Sequence, residues 1–195
     1  LLTPGLIVVA DLGTDSLVTY RVGADGSLAE VASTQTAPGA GPRHVALHPN
    51  GELLFVMNEL DSTVASYRID ARSGVLSPLD VQPAVPEEAR ADNHCADIQI
   101  SPDGRYLYGS TRGHASICAF CVDEATGKLA PVGFFPCGGA TPRNLAITPS
   151  GRHLFSANQN ADRIVIFQRD AKTGALVDTG RAIEVGTPMC IKFAG

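Results

Sequence analysis

An all-β fold, a β-propeller of four-stranded antiparallel blades, is predicted by three observations. Tyr20, Tyr67, Phe120 and Phe167 each lie at the end of an apolar strand-like run and are spaced by 47, 53 and 47 residues. Gly26, Gly74, Gly127 and Gly174 keep nearly the same step, at 48, 53 and 47. Between these landmarks 20 Gly and 13 Pro punctuate short strand-like runs, and no apolar spacing is sustained at helical period. Units repeating at this length fit blades that pack face to face on their neighbours. A β-sandwich also supplies short strands and turns, but nothing in it would return the landmarks so regularly. About four blades are expected, with helix nearly absent.

Taken in order, Leu6 to Ala10, the turn Asp11-Leu12-Gly13-Thr14-Asp15 and Ser16 to Val22 read as the second and third strands of a unit whose first strand is missing. After Asp25-Gly26, Ser27 to Ser33 is its fourth. The linker Pro38-Gly39-Ala40-Gly41-Pro42 leads into the most informative stretch, GPRHVALHPNGELLFVMNE, which ends at Glu59. There Arg43 to His48 is extended, Pro49-Asn50-Gly51 turns the chain, and Leu53 to Asn58 returns, a tight hairpin. Folding about Gly51 predicts that Arg43 and Glu59 meet across its open end, where cross-strand neighbours interact. Thr63 to Ile69, a turn at Arg72-Ser73-Gly74 and a strand from Val75 complete the blade. A longer polar connection, Val81 to Asn93, enters a third unit: Cys95 to Ile100, Pro102-Asp103-Gly104, Tyr106 to Ser110, Ala115 to Val122 and Lys128 to Pro136. The fourth starts at Arg143, turns at Pro149-Ser150-Gly151, and continues through His153 to Asn158 and Arg163 to Gln168 to the turn at Thr173-Gly174. Pro188 to Phe193 matches the first strand of yet another unit. The divisions are therefore a partial blade over 1–37, blades over 38–92, 93–140 and 141–187, and the first strand of a further blade over 188–195.

Composition narrows the function. The chain has 195 residues, 44% of them hydrophobic, enough for one domain with a real core. A net charge of -5 argues against nucleic acid, whose phosphates demand clustered Lys and Arg. No apolar run approaches the roughly 20 residues of a membrane helix, so no membrane partner is expected. Five Cys, odd in number and without a disulfide spacing, favour a reducing, cytoplasmic compartment. Cys118 and Cys121 spell CxxC, yet an odd separation within a strand sends their side chains to opposite faces. His44 and His48, four apart in a strand, are about 13 Å from each other and cannot share a metal. No metal or cofactor is expected.

Candidate chemistry follows from the order of strands in a blade. The start of a first strand and the end of a second lie on the same rim. Arg43 and Glu59 sit there, Arg112 lies one repeat beyond Glu59, and Arg143 lies two repeats beyond Arg43. By the same hairpin rule Arg112 should face Ala96, and Arg143 should face Gln159. Three guanidiniums and one carboxylate thus converge on one mouth, which suits a small anionic ligand because Arg forks grip carboxylate or phosphate. Glu59 can act as a general base toward water, with Arg112 or Arg43 stabilising an oxyanion. The plainer reading is a rim salt bridge, worth about 0–1 kcal/mol if exposed. His114, in the Arg112 loop, is a candidate ligand contact or a solvated loop residue, and His94 is a weaker one. Asn58, with Asn144 and Asn158, can bond a sugar or satisfy loop backbone. His44 alternates to the other side of its strand from Arg43, which predicts packing or support, while its place beside Arg43 keeps it among the substrate-binding candidates.

The segments GPRHVALHPNGELLFVMNELDS, ADIQISPDGRYLYGSTRGHASICAF, TPRNLAITPSGRHLFSANQNADRIVIF and VGTPMCIKF, in this order, resemble the lactonase family of seven-bladed propellers. That family includes the propeller-type 6-phosphogluconolactonases and the fungal carboxymuconate cyclases, and the likeness covers essentially the whole chain. It implies the C-terminal portion of a seven-bladed ring, with about three blades before Leu1 and self-association as one way to complete an open ring. It also implies a metal-independent hydrolase of a small anionic sugar lactone such as 6-phosphogluconolactone. The catalytic set so implied is a His, two Arg and a Glu. The last three fall on Arg43, Arg112 and Glu59, and the His on a blade upstream of Leu1. A carboxymuconate-type cycloisomerase and a non-catalytic binding scaffold are the alternatives.

Overall fold

The structure, a computed structural model, describes residues 5–194. Its strands follow one another as antiparallel meanders. The first sheet has three, β1 (Leu6–Asp11), β2 (Ser16–Val22) and β3 (Leu28–Gln35). The second contains β4 (Pro42–Leu47), β5 (Leu53–Asn58), β6 (Thr63–Ile69) and β7 (Leu76–Pro83). The third contains β8 (Cys95–Ile100), β9 (Tyr106–Thr111), β10 (Ser116–Val122) and β11 (Leu129–Pro136). The fourth contains β12 (Pro142–Ile147), β13 (His153–Asn158), β14 (Arg163–Arg169) and β15 (Leu176–Glu184). Helix among the described residues is limited to two 3-10 turns, Glu87–Ala89 and Gln159–Ala161. This is the predicted all-β fold, part of a β-propeller. β4, β8 and β12 adjoin one another as the inner strands, and β1 meets β4 as β5 meets β8, so β1 is a second strand as expected.

Period-2 alternation decides which neighbour each side chain meets. All six residues of β5 are buried because both faces of the sheet are covered. Leu53, Phe55 and Met57 pack with Ile98, Leu107 and Phe120 of the third sheet. Leu54 and Val56 pack with Leu17 of the first. Burying each such side chain is worth about 1.5–3 kcal/mol, so the inter-sheet cores hold the blades together. The same alternation puts Cys118 in the core shared with the second sheet and turns Cys121 toward the core shared with the fourth.

The outer ladder of every blade slips at one equivalent point, between Thr19 and Tyr20, Ser66 and Tyr67, Ala119 and Phe120, and Ile166 and Phe167. The partner strand carries the extra residue, Val31, Leu79 or Val132 in the first three sheets. Val31 then fills the space a Cβ on Gly74 would need, 2.7 Å from its Cγ2, and Leu79 does the same at Gly127. Both glycines also have positive φ, +80° and +74°, which other residues rarely adopt. Gly26 and Gly174, at +82° and +75°, share the positive φ without the bulge contact, so backbone conformation explains why glycine recurs at the blade period.

Two expectations change. Pro188 to Phe193 forms no ladder, because no described strand lies beside it to pair with. It still lies along the fourth sheet, where the Ile191 amide donates to Asn144 Oδ1 at 2.7 Å and Phe193 packs edge-on against Phe155 at 5.4 Å. The connection read as starting at Val81 begins later, since Val81 to Pro83 belong to β7.

Candidate functional site

A second set of bulges, on the inner strands, builds the site. In β4 the ladder runs Pro42 to Asn58 and then His44 to Met57, leaving Arg43 unpaired. β12 repeats this with Arg143, between Pro142–Asn158 and Asn144–Ala157. The expected facing of Arg43 with Glu59, and of Arg143 with Gln159, is therefore replaced by a bulged arginine. Similarly the Arg112 amide donates to the His94 carbonyl at 2.8 Å, so Arg112 faces His94 rather than Ala96. The bulge also breaks the alternation that was to send His44 away from Arg43. His44 lies against it instead, with Nε2 at 3.1 Å from Arg43 Nη1.

Arg43 and Glu59 still meet. Arg43 Nε is 3.0 Å from Glu59 Oε2, and Arg112 Nη2 donates to Glu59 Oε1 at 2.5 Å. One carboxylate is thus held between guanidiniums from two blades, each of the three side chains 18–19% exposed. Backbone carbonyls complete the cradle: Arg43 Nη1 donates to Ala96 at 2.7 Å and Arg112 Nη2 to Cys95 at 3.1 Å. Arg112 Nε is buried without a partner. Burial pushes the Arg43 pKa below its usual range; Arg112 and Arg143 add to this by repulsion, while Glu59 and Asp97 oppose it. Arg143 is close enough to act on Arg43, yet forms no ion pair or side-chain hydrogen bond among the described residues.

The other candidates are not drawn into this cluster. His114 bonds Ser116 Oγ at 2.8 Å and packs edge-on against Phe134 of the outer strand. Asn58 is buried and donates to Thr63 Oγ1 at 2.9 Å, although its Oδ1 has no partner. His48 is buried on the turn, with Nε2 donating to the Gly104 carbonyl at 3.0 Å. Asp97 was missed. Its side chain is 4% exposed and its Oδ1 accepts from His44 Nδ1 at 2.8 Å, while Oδ2 accepts from Asn144 Nδ2 at 2.6 Å. A signal existed: His44, Asp97 and Asn144 stand 53 and 47 residues apart, one polar residue at the same step of each inner strand.

Chemically, a carboxylate flanked by guanidiniums, with a further arginine free, can seat an anion and take a proton from water beside it. Among the described residues no three metal-ligating side chains cluster.

Known proteins agree with the fold. The family described as Lactonase, 7-bladed beta-propeller, matches residues 2–193. The 6-phosphogluconolactonase of Bacillus subtilis is 36% identical over 187 residues, covering 96% of this chain and 53% of that protein. Among solved structures, a Lactobacillus plantarum protein superposes with a TM-score of 0.94 at 30% identity, over 99% of this chain and 56% of its own. The periplasmic gluconolactonase of Pseudomonas aeruginosa follows at a TM-score of 0.91 and 29% identity, over 98% of this chain and 54% of its own. The chain spans about half the length of these proteins. With the family match running nearly end to end, the chain belongs to the seven-bladed β-propeller lactonases.

Proposed function

We propose that the protein hydrolyses a small anionic sugar lactone, 6-phosphogluconolactone or a close relative. The observation that carries this is the Glu59 carboxylate gripped by Arg43 and Arg112, with Arg143 unpaired beside them. Glu59 takes a proton from water as the water oxygen bonds to the lactone carbonyl carbon. Arg43 and Arg112 hold the oxyanion that forms, where fixed donors act most strongly. The tetrahedral intermediate collapses by breaking the ring C–O bond, and the leaving alkoxide recovers the proton from Glu59. The product is a hydroxy acid, which ionises and releases acid. Arg143 binds the substrate's anionic group, as a guanidinium fork suits phosphate or carboxylate.

The names of the matched relatives support a lactone substrate. Five free cysteines support a reducing, cytoplasmic setting. No described helix is long and apolar enough to cross a membrane. The test is acid release from 6-phosphogluconolactone by the intact protein: saturable hydrolysis that Glu59→Gln abolishes is expected. Binding of dicarboxylates with no lactone turnover would move the reading to the cycloisomerase. Unchanged turnover in Glu59→Gln would remove Glu59 from the mechanism.

A further inference from the structure

His44, Asp97 and Asn144, at equivalent steps of β4, β8 and β12, and Ile191 of the unladdered segment beyond β15 are joined hand to hand. His44 Nδ1 meets Asp97 Oδ1 at 2.8 Å, Asn144 Nδ2 donates to Asp97 Oδ2 at 2.6 Å, and the Ile191 amide donates to Asn144 Oδ1 at 2.7 Å. The belt ends at its other side on Arg43, whose Nη1 lies 3.1 Å from His44 Nε2. Asp97 is the only carboxylate in it and the most fully occupied member. Its oxygens also accept from the Ile98 and Leu145 amides, each at 2.9 Å, and from Gln99 Nε2 at 3.3 Å.

Donor and acceptor rules fix the proton on His44. A guanidinium has hydrogens to donate and no lone pair to offer, so His44 Nε2 must accept from Arg43. An ionised carboxylate can only accept, so Nδ1 must carry the proton and donate to Asp97. Burial alone would raise the Asp97 pKa, but bonds from His44 and the Leu145 and Ile98 amides outweigh it and hold the carboxyl below the usual range, so the acceptor is in place at neutral pH. From this geometry we infer that Asp97 is a positioning residue: it sets the Nδ1–H tautomer of His44, which in turn seats the Arg43 guanidinium against Glu59. Asp97 touches no substrate atom and acts only through His44. Its effect on turnover rests on the lactonase reading, whereas its effect on His44 and Arg43 does not.

Asp97→Asn separates this from a merely structural role. Three donors, from Asn144, Leu145 and Gln99, crowd the Oδ2 side and will claim the amide oxygen. The new NH2 then faces His44 Nδ1 and pushes the ring proton to Nε2, where it opposes Arg43. Nitrogen-15 NMR of the histidine rings in the labelled intact protein reads the tautomer directly. The expected results are Nδ1–H at His44 in the wild type, Nε2–H in Asp97→Asn, and a shifted Arg43 Nε–H signal in the variant. Turnover of 6-phosphogluconolactone should fall roughly 10- to 100-fold in kcat, the worth of one charge-assisted hydrogen bond, with KM within about twofold. An Nε2–H tautomer in the wild type overturns the inference without any variant. So does a variant that switches tautomer while Arg43 and kcat stay unmoved. If the wild type hydrolyses no lactone, the lactonase reading fails, and the tautomer and the Arg43 signal still decide this inference.

Discussion

Glu59→Gln divides a structural ion pair from a catalytic base, because the two predict different sizes of effect in different measurements. The wild-type carboxylate accepts from Arg43 Nε at 3.0 Å and from Arg112 Nη2 at 2.5 Å. Glutamine keeps the shape and offers one oxygen, so one guanidinium must face an NH2 group that cannot accept. One charge-assisted bond is lost, and the two guanidiniums repel each other without the negative charge between them. An exposed pair would lose about 0–1 kcal/mol and a fully buried one about 3–5. At 18–19% exposure the expected cost lies between, about 2 kcal/mol. For a chain of this size that lowers Tm by roughly 4–8 °C, which differential scanning calorimetry resolves. Loss of a general base should lower kcat roughly 100- to 10,000-fold when assayed well below the new Tm. A large fall in kcat with a modest fall in Tm supports the base. A fall in Tm alone, with kcat within about threefold of wild type, refutes it and leaves Glu59 as a strut between two arginines.

Further outcomes test the rest of the structure. Arg143→Gln should raise KM about tenfold through loss of one charged contact, with kcat and Tm nearly unchanged because Arg143 pairs with no described residue. Gly109→Ala should destabilise by about 1–3 kcal/mol in urea titrations, since its Cβ would run into Met57 Cε and Cys118 Sγ in the packed core between the second and third sheets. Burial pushes the Cys95 thiol up to about 12 and also raises Cys118 and Cys137, so at pH 8 a thiol reagent should label exposed Cys190 first and spare those three until urea unfolds the chain. The lowered Asp97 pKa stabilises the fold above the ordinary aspartate value of 3.8, and that contribution is lost as pH falls through the folded value. Asp97→Asn should therefore flatten part of the acid limb of a Tm-against-pH curve; an unaltered limb would mean that Asp97 titrates alike in folded and unfolded chains.

Much of the fold was legible because the inner and middle strands are short apolar runs closed by turn residues. β2, β5, β6, β8 and β13 begin and end where their composition says they should. Register was not legible at the rim, because a bulge adds a residue without any change in polarity pattern. Nothing in PRHVAL says that Arg43 stands outside the ladder, yet that displacement places His44 against Arg43 and turns the arginine toward Glu59. Asp97 escaped notice for a related reason: in ADIQI it reads as the polar step of an ordinary strand, and its partners come from the blades on either side.

The blades share a design, and the chemistry lies where they differ. At the bulge step the second, third and fourth sheets carry Arg43, Ala96 and Arg143, and at the close of the second strand they carry Glu59, Arg112 and Gln159. Had each blade kept Arg with Glu, every pair would neutralise itself within its own hairpin. Instead Ala96 leaves the third blade without an arginine of its own at that step, and its carbonyl accepts Arg43 while Arg112 of the same blade reaches back to Glu59. The fourth blade keeps an arginine opposite a neutral glutamine. Its positive charge is therefore left unpaired among the described residues, and on the proposed reading it serves the ligand; the cluster's excess of cations comes from departures out of the repeat, on a scaffold that holds neighbouring positions at hydrogen-bonding distance.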